Sequence, residues 1–121
     1  MPTLIGYYAQ CRRLLCQAAK RRETVTYGAL AAALGLKSPR QEWSTVLGPI
    51  AADEVKNTGH DLTLTVVYAS GPAMGLGRYF SNISGGAAPQ SGTLSPRDAK
   101  EVTAYRTARE QVFNRYATEQ C

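Results

Sequence analysis

The stretch Thr26-Tyr27-Gly28-Ala29-Leu30-Ala31-Ala32-Ala33-Leu34-Gly35-Leu36, followed by Lys37-Ser38-Pro39-Arg40, constrains the fold more than any other part of this chain. Leu30, Ala33 and Leu34 recur at helical steps and give a short helix one buried stripe. Gly35 can adopt the left-handed conformation that ends such a helix. Ser38 can then cap the free N–H groups of a following helix, and Pro39 suits its first position, where no donor is needed. Short helix, tight turn, second helix is the layout of a helix-turn-helix, which lays its second helix in a DNA groove. A helical hairpin inside a core is written with the same residues, so this stretch alone leaves both readings open.

The placement of charge separates them better than its total. Residues 1–40 hold seven basic side chains (Arg12, Arg13, Lys20, Arg21, Arg22, Lys37, Arg40) against one acid, Glu23, a net of +6. Residues 41–121 hold seven against eight, a net of −1. The excess therefore belongs to the first helix and the helix-turn-helix, and a one-sided cationic surface concentrates polyanions and speeds their capture. Lys37 and Arg40 fall in the turn that would meet a phosphate backbone. A solvated helix face is the plainer reading of the same charges.

Around this centre the chain reads as one compact α+β domain, 121 residues being enough to close a single core. Leu4, Tyr7 and Tyr8, Cys11, Leu14 and Leu15, and Ala18 recur at steps of three and four, which predicts a helix over 3–21. Thr24-Val25 is a one-rung strand candidate before Thr26, the predicted N-cap of the next helix over 27–34. The following helix is expected from Pro39 to Gly48, with Pro49 kinking or ending it and one or two further turns to Asn57-Thr58-Gly59. Trp43, Val46, Leu47 and Ile50 make its buried face, leaving Arg40, Gln41, Ser44 and Thr45 outward. Residues 61–69 alternate, with Leu62, Leu64, Val66 and Tyr68 on one face, which predicts a strand with one side in the core. The glycine-rich tip 70–77 and the return strand Arg78-Tyr79-Phe80 complete a wing, whose Arg78 reaches toward phosphate or a minor groove. Residues 1–83 thus form a winged helix-turn-helix and 84–94 a flexible linker. Residues 95–121 form an extra C-terminal helix, opened by a Ser95–Asp98 capping box, whose mixed charges suit packing or homodimerisation.

Within the winged-helix class, Val25-Thr26-Tyr27-Gly28-Ala29-Leu30-Ala31, then Val46-Leu47-Gly48, then Gly75-Leu76-Gly77-Arg78-Tyr79 resemble, in that order, stretches of the DNA-binding domain of alkylguanine-DNA alkyltransferases and alkyltransferase-like proteins. The resemblance covers about residues 20–80. It implies duplex DNA as partner and matches Tyr27 to the family's phosphate-contacting tyrosine. The family's acceptor Pro-Cys-His-Arg segment should fall just before or within Leu62–Tyr68, where this chain has no cysteine, so alkyl transfer does not carry over. The base-replacing arginine is also missing, since Ser44-Thr45-Val46-Leu47-Gly48 has no basic residue nearer than Arg40. The whole chain is also similar to small bacterial and phage proteins that share Thr-Tyr-Gly-x-Leu-Ala and Leu-Gly-x-Ile stretches, a likeness that supplies no function.

Catalysis has little to stand on. His60 is the sole histidine, and Asp61 beside it would point to the opposite face of a strand. Asp53-Glu54 is a carboxylate pair on one helix, without the further ligands a metal needs. The Gly71–Gly77 loop lacks the strand–loop–helix context and the Lys-Ser/Thr of a nucleotide site. The expectation is a non-enzymatic duplex DNA-binding protein without cofactor or metal. Lys20, Arg21, Arg22 and Tyr27 hold phosphates, Lys37 meets the backbone from the turn, Arg40, Gln41, Ser44 and Thr45 face the groove, and Arg78 sits on the wing. A protein-binding winged helix, such as a phage or mobile-element inhibitor of a host defence complex, is the alternative. Three cysteines without a CxxC or Cys/His cluster are expected as reduced structural thiols in a cytoplasmic protein, with Cys121 exposed. The N-terminus lacks a signal-peptide layout, and no apolar run suggests a membrane span.

Overall fold

Helix ends decide where this chain turns. A computed structural model describes residues 4–38, 42–68 and 96–121. A 3₁₀ turn, Leu4–Tyr7, leads into helix α1, Tyr8–Lys20. Cys11, Leu15 and Ala18 of α1 are buried as expected from their spacing, and Cys16 and Ala19, outside that stripe, are buried with them. Its C-terminus closes by two backbone bonds, Glu23 N–H to the Ala18 carbonyl at 2.8 Å and Arg22 N–H to that of Ala19 at 3.0 Å. This is a Schellman motif, and its left-handed position is held by Arg22 (φ 59°) instead of glycine.

Strand β1, Val25–Thr26, follows, and Thr26 caps helix α2, Tyr27–Ala33, by accepting from Ala29 N–H at 3.0 Å. The same closing motif ends α2, now with Gly35 at φ 76° and Leu36 N–H bonded to the Ala31 carbonyl at 2.9 Å. The cap at Thr26 and the stop at Gly35 were both legible in the sequence.

The next helix departs from expectation at both ends. Helix α3 runs Ser44–Thr58, so Ser38 does not cap it and it does not restart at Pro39. Its first turn is instead tied by Thr45, whose N–H and hydroxyl both donate to the Glu42 carbonyl, at 3.0 and 2.8 Å. Pro49 stands inside α3 and does not end it. The N–H it lacks would have bonded Thr45, one residue into the helix, so the loss falls in the opening turns. Gly59, at φ 79°, ends α3 where the sequence placed the stop.

The expected strand over 61–69 is mostly a 3₁₀ turn, Leu62–Thr65, followed by a two-residue strand β2, Val66–Val67. β2 pairs in parallel with β1, Val25 opposite Val66 and Thr26 opposite Val67. The alternation misled because every residue from Leu62 to Val67 is buried. The segment threads between α1, α3 and helix α4, Pro96–Tyr116, so neither of its sides meets water. Its threonines are satisfied locally: Thr63 donates its N–H and hydroxyl to Asp61 Oδ1 at 2.8 and 2.5 Å, and Thr65 its hydroxyl to the Leu62 carbonyl at 2.9 Å. The described architecture is therefore α+β, mostly helical, with one short parallel strand pair.

Helix α4 closes the core from a further side. Tyr105, Val112, Phe113 and Tyr116 are buried against the other helices. Both tyrosine hydroxyls are spent inside, Tyr105 donating to the Leu64 carbonyl at 2.7 Å and Tyr116 to Glu54 Oε1 at 2.5 Å. The expectation of three reduced thiols is overturned. Cys16 and Cys121 form a disulfide, Cα atoms 5.8 Å apart across a sequence separation of 105. Spacing could not show it, because the partner of Cys16 is brought in by the packing of α4. Cys11 remains a free, buried thiol, pushed up to about 11 by burial. The glycine-rich wing with Arg78, the linker 84–94, Ser95 of the expected capping box, and Arg40 and Gln41 lie outside the described residues. Among the described residues no helix is long and apolar enough to cross a membrane.

Candidate nucleic-acid interface

The described cations of the N-terminal half do not form one surface. Arg12 turns inward from α1, its Nη2 donating to Glu54 Oε1 at 3.1 Å, while Tyr116 donates to the same oxygen from α4. The Glu54 side chain is 5% exposed, so this is a buried carboxylate held between a guanidinium and a phenol. The hydrogen bond to Glu54 raises the Arg12 pKa against the opposing effect of burial. Burial first, and then Glu54, push the Tyr116 hydroxyl well above the usual tyrosine range. Beside this pair Tyr8 donates to Asp53 Oδ2 at 2.5 Å, and burial followed by that bond pushes Tyr8 up to about 12. Asp53 and Glu54 are thus separately engaged structural carboxylates and do not present a joint acid–base pair.

Arg22 is also committed to the fold. Its guanidinium donates to Asn114 Oδ1 at 3.0 Å, pairs with Glu110, and lies 5.6 Å from the centroid of the Phe113 ring, all on α4. Lys20 donates to the Glu119 backbone carbonyl at 2.9 Å, and Arg21 pairs with Glu23 at 3.2 Å with both side chains well exposed. Arg13, Gln17, Lys20 and Arg21 are all exposed and recur at helical steps, so they line one solvent face of α1. Arg13 and Lys37 have no ion pair or hydrogen bond among the described residues.

The remaining candidates gather where α2 and α3 begin. Tyr27, the first residue of α2, is half-buried, its ring 5.9 Å from that of Trp43 and 5.6 Å from that of Tyr68. That contact sets the start of α2 beside the start of α3, where Ser44 is exposed. Thr45 is not outward: it is half-buried, and its hydroxyl accepts from Leu4 N–H at 3.2 Å while donating to Glu42. The structure therefore brings together Tyr27 and Ser44, and separately the α1 face, with Arg22 and Tyr27 at most about 17 Å apart along five residues of chain.

His60 and Asp61 also differ from expectation. Because they lie in a turn and not on a strand, both line one cavity of about 220 Å³ with Val55, Leu64, Gln111 and Val112. Asp61 Oδ1 already caps the Leu62–Thr65 turn. Among the described residues no three His, Cys, Asp or Glu side chains cluster as a metal site. Comparison with protein-family models, with curated proteins and with solved structures finds no match.

Proposed function

We propose that this chain is a non-enzymatic duplex DNA-binding protein of winged-helix, alkyltransferase-like type, working in the cytoplasm. The exposed face of α1 holds the phosphate backbone through Arg13, Lys20 and Arg21. Lys37 and Arg40 extend that contact through the turn, Gln41 and Ser44 meet base edges, and Arg78 sits on the wing. The observation that carries this reading is the row Arg13, Gln17, Lys20, Arg21 on one solvent side of α1. Phosphate contacts of that kind give affinity without sequence choice. The role of Tyr27 becomes one of setting α2 against α3 through Trp43, besides any contact with phosphate. The test is a titration of random duplex DNA at several salt concentrations with wild type and the double variant Arg13→Ala/Arg21→Ala. The variant is expected to weaken binding to all sequences alike and to flatten the log–log salt slope by about one unit per lost contact. Absence of binding at low salt, or an unchanged slope, refutes the proposal. A preference for duplexes carrying alkylated guanine would narrow it to damage recognition.

A protein-binding module is the second reading, and one observation favours it. The outward side of α3 carries Ala52 and Val55, the latter 49% exposed, among the exposed polar residues Ser44, Asp53, Lys56 and Asn57, and such apolar positions suit a protein surface better than base edges. A stoichiometric protein partner that survives nuclease treatment of a pull-down, from a chain that does not shift DNA, would favour this reading over the first.

A further inference from the structure

The segment after α4 lies back along α1. Cys121 is bonded to Cys16, and Glu119 offers its backbone carbonyl to Lys20 Nζ at 2.9 Å. Cys16 and Lys20 are one helical turn apart, so residues 119–121 follow a single row of α1. The Glu119 carboxylate is steadied from its own side by Arg115 Nη1 at 2.9 Å. The segment thus occupies the ammonium of one cation of the α1 face with a backbone carbonyl, while its own carboxylate is held by Arg115. The two sulfurs are unequally placed: Cys16 is fully buried and Cys121 is exposed. In a cytoplasmic setting a disulfide is usually transient or redox-sensing, not permanent.

We propose that residues 117–121 form a redox-latched cover on the α1 cationic face, held shut by Cys16–Cys121 and released by a dithiol reductant. This rests on the DNA-binding reading for its consequence, but the latch itself does not. The chemistry is thiol–disulfide exchange. A thiolate of the dithiol attacks the exposed Cys121 sulfur, the S–S bond breaks, and Cys16 leaves as a thiolate that takes up a proton. The second thiol of the reductant then displaces Cys121, which leaves as a thiol. The dithiol loses two electrons and closes as its own disulfide, and the protein gains two thiols. Release frees Lys20 from the Glu119 carbonyl and leaves its ammonium for phosphate. Cys11 takes no part, because it is buried and its thiolate is strongly disfavoured.

The full chain is compared oxidised, reduced with dithiothreitol, and as Cys121→Ser. Cleavage after Glu119 by a glutamyl endopeptidase, mapped by mass, reads the latch directly, with Glu110 within α4 as internal control. Reduction and Cys121→Ser are each expected to speed cleavage after Glu119 at least tenfold while cleavage after Glu110 stays slow. Equal rates in all three forms overturn the latch. Parallel acceleration at Glu110 also overturns it, because the disulfide would then be a staple of the whole fold. In the duplex titration the opened forms are expected to bind several-fold tighter, with a salt slope steeper by about one unit for the freed Lys20. If no form binds duplex, the DNA reading fails while the cleavage rates still decide the latch. If duplex is bound equally by all forms despite fast cleavage after Glu119, the covering role is refuted and the DNA reading stands.

Discussion

Replacing Arg22 by glycine and by alanine should separate its backbone from its side chain. A left-handed conformation costs an L-residue about 1–2 kcal/mol, and Arg22 carries that cost at φ 59°. Its side chain offsets the cost through three contacts on α4. The ion pair with Glu110 is half exposed on both sides and contributes about 0–1 kcal/mol. The guanidinium 5.6 Å from Phe113 adds about 0.5–1 kcal/mol, and the bond to Asn114 about as much. Arg22→Ala loses these contacts and keeps the strained backbone, so it should destabilise by about 1–2 kcal/mol. Arg22→Gly loses the same contacts but recovers the backbone cost, so it should lie about 1 kcal/mol above the alanine variant. For a domain of this size that gap is about 4 °C in Tm. Urea unfolding of both variants with the disulfide intact measures it. An alanine variant as stable as the glycine one would refute the assignment of strain to Arg22. The glycine variant then tests function cleanly, since it removes the Arg22 cation with little loss of fold.

Two further outcomes concern the tyrosines. Tyr116→Phe removes a charge-assisted hydrogen bond to the buried Glu54 and should cost about 1.5–3 kcal/mol in urea unfolding, whereas Tyr68→Phe, away from that carboxylate, should cost less. Tyr8, Tyr105 and Tyr116 all have pKa values raised above 10.0, Tyr8 to about 12. Their neutral forms are favoured in the fold, so this stability is complete below about pH 10 and is lost as pH rises through 12. Unfolding midpoints followed from pH 9 upward should fall over that window, and Tyr8→Phe should shallow the fall.

What could be seen in the sequence was local. Thr26 and Gly35 delimit α2 by bonds within four residues of themselves, and Gly59 stops α3 in the same way. Those signals need no knowledge of the rest of the molecule. Val46, Leu47 and Ile50 were readable as an inward face because their spacing alone fixes it. The errors share a cause of the other kind. Leu62–Val67 alternates like a half-exposed strand, yet three helices enclose it, and burial on both sides is a property of its neighbours. Cys16 pairs with Cys121, and Arg22 with Glu110, only because α4 returns across α1. At the candidate interface the outward row of α1 follows from helical spacing, whereas the loss of Arg12, Arg22 and Thr45 to internal partners does not.

That loss changes what the charge asymmetry means. A +6 half beside a −1 half reads as a surface prepared for a polyanion, but part of the excess is neutralised within the fold. Arg12 meets Glu54, Arg22 meets Glu110, and the carbonyl of Glu119 meets Lys20. The consequence is quantitative. Seven phosphate contacts from the N-terminal half would give a log–log salt slope of about −6 on duplex DNA. With Arg12 and Arg22 committed to the fold and Lys20 covered, three described cations are left to the duplex, Arg13, Arg21 and Lys37, and counting Arg40 with them as a proposed contact the oxidised protein should show a contribution of about −3.6 from this half. Arg78→Ala would remove any share of Arg78 before the comparison is made. A slope near −6 in the oxidised Arg78→Ala protein would mean that Arg12 and Arg22 leave Glu54 and Glu110 to reach the duplex. In that case the pairs seen across α1, α3 and α4 describe only the unbound protein.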